Sequence, residues 1–217
     1  MLTPNTIARS GLRIVRGERF NGFSHLLGLL LSLAAGALLV DEAVMKGDAA
    51  ASVGAAVFSL ASVLLYAAST LYHFTQGAAK AIWRRADHCA IYLMIAGTYT
   101  PFGLLTWNGP RAAVAIGAIW GLAAVGIVRE LRAGPGAPPS LLFYLGLGWL
   151  TVLATFPLAA ALDGLVLAGL LAGAGCYSFG TIFYRNRRNW RHAHGTWHLF
   201  VLAGSACHYG AIVWAVQ

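Results

Sequence analysis

The sequence predicts an all-α polytopic membrane protein of seven transmembrane helices. Three observations carry that prediction. Apolar runs recur along nearly all of the 217 residues, which are 59% hydrophobic and only 10% charged. Soluble domains carry about a quarter charged residues. Each run approaches the roughly 20 residues that a helix needs to cross a bilayer core. Lys and Arg gather in alternate connections between the runs, which is the signature of membrane topology.

The first run, residues 22–42, follows a basic segment, 1–21, with Arg9, Arg13, Arg16 and Arg19. Such a start imitates a signal peptide. The run is long for a signal's apolar core, and its opening carries Asn21, Ser24 and His25. It reads as an uncleaved first span. The next spans are expected at 51–74, 86–106, 112–129, 139–160, 163–184 and 195–216. Backbone groups in lipid must bond internally, and continuous runs rich in Leu, Ala and Gly do so as helices. Pro101 and Pro157 fall inside the third and fifth spans, where each should kink or end its helix. Gly134, Pro135, Gly136, Pro138 and Pro139 mark the loop before span five. The pairs Gly117 with Gly121 and Gly169 with Gly173 predict close helix packing. No soluble domain can be carved out, so 1–217 reads as a single domain.

Thirteen Lys and Arg residues lie in the N-terminal segment and in the second, fourth and sixth loops. The other side has Lys46 and Arg111. Positive charge marks the cytoplasmic side. The N-terminus is therefore expected inside, the C-terminus outside, and the protein in the inner (plasma) membrane as a multi-pass chain. The formal charge of +8 is accounted for by these clusters and does not point to nucleic acid. Cys89, Cys176 and Cys207 are scattered within apolar runs with no CxxC pair, the pattern of small buried thiols.

Ionisable groups concentrate at one predicted depth. Glu18, Asn21 and His25 open span one; Ser69 and His73 close span two; Asp87 opens span three; His194 and His198 open span seven. All four ends are cytoplasmic in the predicted topology. Ionisable side chains at membrane depth are costly unless paired, bonded or ligating. His194 and His198, four residues apart, share one helix face. With His73 they form a candidate three-histidine metal site, with zinc the first choice. Three protein ligands leave a fourth position for water, as in catalytic zinc sites. Asp87 is the candidate general base for that water. Ser69, one turn before His73, is the candidate hydrogen-bond partner of the water or of a developing oxyanion. Glu18, Asn21 and His25 would orient the ligands from behind. His88, His192 and His208 read as interfacial or internally bonded imidazoles. His208 stands ten residues past His198, about 15 Å deeper.

These motifs, ExxNxxxH at Glu18, Asn21 and His25, SxxxH followed by Asp at Ser69, His73 and Asp87, and HxxxH at His194 and His198, resemble those of the hemolysin III family. That family is related to the progestin and adipoQ receptors, which include the adiponectin receptors, and distantly to alkaline ceramidases. The resemblance implies zinc on His73, His194 and His198, with Ser69 and Asp87 flanking a zinc-bound water. The receptors usually have Tyr after the Asp, where this chain has His88. Two functions are expected: a zinc-dependent hydrolase of a membrane lipid amide or ester, or a non-enzymatic pore-forming or membrane-sensing protein with structural zinc.

The charge split makes a prediction. A reporter fused after Gln217 should read as extracytoplasmic and one placed in the 133–138 loop as cytoplasmic. A cytoplasmic C-terminal reporter would sink the seven-span topology.

Overall fold

The computed structural model describes residues 11–12, 16–106, 110–134, 136–155 and 163–217. Seven α-helices fill them: α1 (Arg19–Met45), α2 (Ala49–Phe74), α3 (Ala78–Thr106), α4 (Pro110–Arg132), α5 (Leu141–Thr155), α6 (Gly164–Arg185) and α7 (Ala193–Val216). All but α5 are long and apolar enough to cross a membrane. The described part of α5 has 15 residues, and residues 156–160 of its expected span, including Pro157, lie outside the described residues. A single 3₁₀ turn, Arg16–Glu18, leads into α1. Before it, β1 (Gly11–Leu12) pairs antiparallel with β2 (Thr75–Gln76), which directly follows α2.

Local chemistry sets the helix ends. Asp48 caps α2, its carboxylate accepting from Ala50 N at 2.8 Å and Ala51 N at 3.1 Å. Asp163 does the same for α6 through Leu165 N. Both satisfy donors that a helix start leaves open. Helix α3 begins eight residues before the expected span. Its first two turns, Ala78–Arg85, are too polar for a hydropathy reading but continue the helix. Pro101 neither ends α3 nor opens it: the helix runs on to Thr106.

The surface is apolar and the interior partly polar, the reverse of a soluble bundle. Leu30, Leu38 and Leu60 are well exposed, while Ser62, Ser69, Thr70, His73, His198 and Ser205 are buried. One main core, with Leu39, Phe58, Leu65, Val201 and Ile212, is built from α1, α2, α3, α6 and α7. A second, with Tyr92, Tyr99, Ile119 and Tyr144, joins α3 to α4 and α5. Helices α1 and α7 are also locked at one end, where Lys46 Nζ donates to the carbonyls of Val216 at 2.9 Å and Gln217 at 3.0 Å. Those carbonyls carry the negative end of the α7 dipole.

The small residues divide into two groups. A Cβ on Gly169 would meet Ala211 Cβ at 3.0 Å, and one on Gly173 would meet the His208 ring at 2.2 Å. These two pack as expected. Gly117 and Gly121 do not: both are exposed with open space beside them. Sequence spacing alone does not say which face of α4 meets a neighbour. Helices α2 and α3 approach closely, and a Cβ on Gly54 would lie 2.7 Å from Pro101 Cα. Gly54→Ala should therefore destabilise the bundle by about 1–3 kcal/mol, the usual cost of overpacking. Gly117→Ala should stay within about 1 kcal/mol of wild type, since only helix propensity changes. Thermal unfolding of the detergent-solubilised protein reads both; equal losses would refute the assigned α2–α3 contact.

Candidate metal centre

Four helix ends meet at one end of the bundle, and the polar residues singled out in the sequence meet there with them. From α2 comes His73, 2% exposed, and from α7 come His194 and His198. One ring nitrogen from each lies within 4.8 Å of the others. Ring centroids are 4.9 Å apart for His73 and His198, 5.2 Å for His73 and His194, and 4.7 Å for His194 and His198. Among the described residues, no carboxylate or thiol joins this group.

The hydrogen bonds behind the rings fix which nitrogens face inward. His73 Nδ1 lies 2.6 Å from Glu18 Oε2. A carboxylate accepts, so Nδ1 donates and Nε2 of the neutral ring is left as a bare acceptor. His73 Nε2 is buried with no hydrogen-bond partner. His198 Nδ1 lies 2.9 Å from the Asn21 carbonyl. A carbonyl only accepts, so here too Nδ1 carries the proton and Nε2 the lone pair. Two rings from different helices thus present lone pairs to one place. In the absence of a donor or a cation, that arrangement leaves buried acceptors unsatisfied. Metal-ligating histidines characteristically bond a carboxylate or carbonyl through their other nitrogen. The chemistry and disposition of the donors fit a metal ion.

The α1 start acts as a strap. Glu18 accepts from Asn21 Nδ2 at 3.0 Å and from Lys80 Nζ at 3.3 Å as well as from His73. Lys80 also sits 4.5 Å above the Tyr72 ring and donates to the Tyr72 carbonyl. Asn21 therefore serves both rings, Glu18 through its side chain and His198 through its carbonyl. His25 acts by contact: its ring stacks on His198 with centroids 3.6 Å apart and planes 12° apart. Its contribution is to fix the plane of His198 by contact.

Ser69 and Asp87 stand beside the histidines. The Ser69 hydroxyl is buried without a hydrogen bond of ordinary length and lies next to the Asp87 carboxyl. Both line a cavity that also reaches His194 and His198. Its remaining walls are mostly apolar, including Leu65, Ile91, Met94, Leu145, Val152 and Val201.

Several residues were not anticipated. Ser24 Oγ donates to Asn21 O at 2.8 Å and lies 3.1 Å from His198 Nδ1. It stood between Asn21 and His25 in the motif, and i, i+3 spacing was its only signal. Glu130 of α4 bonds His88 Nδ1 at 2.7 Å, both buried. His88 is therefore an internally satisfied imidazole. His192 is exposed in a left-handed conformation at the start of α7, its ring against the edge of Phe20. His208 donates from Nε2 to Leu170 O at 3.2 Å. All three cysteines are free thiols, half-buried.

Comparison with known proteins places this arrangement. A family model described as "Haemolysin-III related" matches residues 14–209. The chain belongs to the haemolysin-III family. It is 37% identical to Hemolysin-3 of Bacillus cereus over 215 residues, covering 94% of each chain. It is 39% identical to the Hemolysin-3 homolog of Bacillus subtilis (strain 168) over 194 residues, covering 88% of this chain and 91% of the relative. A more distant relative is the human monocyte to macrophage differentiation factor, 28% identical over 200 residues, covering 88% of this chain and 81% of that one. Like the six long apolar helices, membership of the haemolysin-III family makes this a multi-pass integral membrane protein.

Proposed function

We propose that this haemolysin-III protein is a zinc-dependent hydrolase of a membrane lipid amide or ester. The observation that carries the reading is the pair of locked histidine tautomers, His73 and His198, beside an apolar cavity lined by His194, His198, Asp87 and Ser69. His73, His194 and His198 would hold the ion, with Glu18, Asn21 and His25 fixing their rings. Imidazole nitrogens suit zinc, and three protein ligands with one open place are the layout of catalytic sites. When bound, such an ion supplies Lewis acidity toward a carbonyl and acidifies water.

The rest is done by the chain. The apolar walls take the acyl chain of a lipid and keep bulk water away from the reacting carbonyl. Asp87 removes the proton of the attacking water and delivers it to the leaving group. Ser69 donates a hydrogen bond to the oxygen on which negative charge develops. The reading includes a single domain of seven spans in the plasma membrane, N-terminus inside and C-terminus outside. The centre then lies toward the inner leaflet, where a lipid can enter sideways. The names of the two Bacillus relatives favour a second reading, a cytolytic or membrane-sensing protein whose zinc is structural.

Replacing His73, His194 or His198 with Ala should lower bound zinc and thermal stability together, because metal binding is linked to folding. Glu18→Gln should weaken metal affinity by about 10–100-fold through the ligand that it orients. His192→Ala should change neither quantity. Metal analysis of the purified variants reads the result, and full occupancy in His194→Ala would overturn the ligand set.

Asp87→Asn should keep zinc while hydrolysis falls about a hundredfold or more. Ser69→Ala should also keep zinc, with a smaller loss from one missing hydrogen bond. Fatty acid released from a panel of lipid amides and esters is the readout. Zinc-loaded wild type that releases none supports the structural-zinc reading, and zinc loss in Asp87→Asn would make that carboxylate a ligand.

A further inference from the structure

The cavity has a second polar point far from the histidine cluster. His208 lines it, ten residues beyond His198 on the same helix and so about 15 Å further into the bundle. The ring is 7% exposed. Its Nε2 faces the Leu170 carbonyl at 3.2 Å; a carbonyl cannot donate, so Nε2 carries the proton. In the neutral ring Nδ1 is then a lone-pair acceptor, and it is buried without a partner. Gly173 of α6 makes room for the ring, since a Cβ there would lie 2.2 Å from it.

Other polar groups on the cavity wall are satisfied within the protein. Thr98 donates to Met94 O, Thr151 to Gly148 O and Thr181 to Ser178 O. Trp149 donates to Ser178, and Tyr177 is paired with Ser205. Unsatisfied atoms of the lining residues therefore fall into two places: His25 and Ser69 beside the metal centre, and His208 Nδ1 at the far end. A buried acceptor with no donor costs stability, and one carried by a residue that lines an apolar cavity can be paired by a donor on whatever fills the cavity.

We propose that His208 is a recognition residue for a hydroxyl on the acyl chain of the bound lipid. The chain lies along the cavity with its head group at the histidine cluster, and a hydroxyl past its middle donates to Nδ1. The preferred ligand class is a hydroxylated long-chain fatty acyl lipid. This rests on the proposed entry of an acyl chain into the cavity but not on hydrolysis. A site that bonds a ligand hydroxyl discriminates strongly against the analogue lacking it, since its own polar group is then left unpaired.

The test is displacement of a fluorescent fatty acid from the full-length purified protein by three competitors. These are 12-hydroxystearate, stearate, and 12-methoxystearate, which keeps the oxygen and cannot donate. The hydroxy acid should bind about tenfold or more tightly than either of the others, as expected for one buried acceptor satisfied. His208→Phe, which keeps a ring of similar shape, should remove the difference and leave stearate binding within about twofold. Should that variant not fold, the three-ligand comparison on wild type still decides. Equal affinities for hydroxystearate and stearate overturn the proposal, as does a methoxy ether that binds as tightly as the alcohol, or failure of all three acids to compete. Lipid hydrolysis is measured separately: a protein that selects the hydroxy acid but cleaves nothing keeps this inference and loses the hydrolase.

Discussion

The hydrogen bond from His73 to Glu18 and that from His198 to the Asn21 carbonyl decide what this end of the bundle can be. Each takes up the proton of one ring nitrogen, and so each turns the other nitrogen into a lone pair facing inward. Remove either bond and the imidazole is free to present its N–H to the centre, where it would repel a cation. Lys80, at the start of α3, neutralises Glu18 from outside. The acidic residue can therefore sit half-buried without an unbalanced charge. A short polar motif, ExxNxxxH, thus organises side chains on three other helices.

Packing serves this arrangement from below. His25 stacks on His198 and meets Tyr66 edge-on. Tyr66 in turn donates to Ser205 at 2.7 Å, which also pairs with Tyr177. A column of aromatic rings and hydroxyls therefore descends from the ligand set into the main core. Small residues make it possible: Gly28 and Gly204 leave the space that the Tyr66 and Tyr177 rings take up. Without a hydrophobic force between helices in lipid, close packing and such internal hydrogen bonds hold the bundle together.

Much of this was legible in the sequence because membrane proteins obey a small number of rules strictly. Helical spans follow from apolar run length, and the gathering of Ser69, His73, Asp87, His194 and His198 follows from counting spans and noting which ends coincide. The i, i+4 spacing of His194 and His198 sufficed to place them on one face. What stayed hidden depended on which way a face turned. Gly117 and Gly121 have the spacing of a packed stripe, yet they look outward. His25 shares a motif with two hydrogen-bonding residues, yet it acts by stacking. Glu130 gave no sign of pairing with His88, since the two lie 42 residues apart on helices whose rotation no local pattern records. The polar start of α3 was missed because a helix can outrun the apolar window that reveals it.

The strap has a consequence for how the protein is made. Asn21 and His198 are 177 residues apart, and Lys46 is 170 residues from Val216. The first helix and the last clasp each other at both ends of the bundle. At about 5–20 residues per second, translation separates the two partners of the strap by on the order of ten to thirty seconds. During that interval Glu18 and His73 can already meet, but the second locked ring does not yet exist. No segment that stops before α7 offers the converging lone pairs. A ribosome-bound intermediate that has not yet made α7 therefore has only a fraction of the ligand set, and α7 is the helix that closes it.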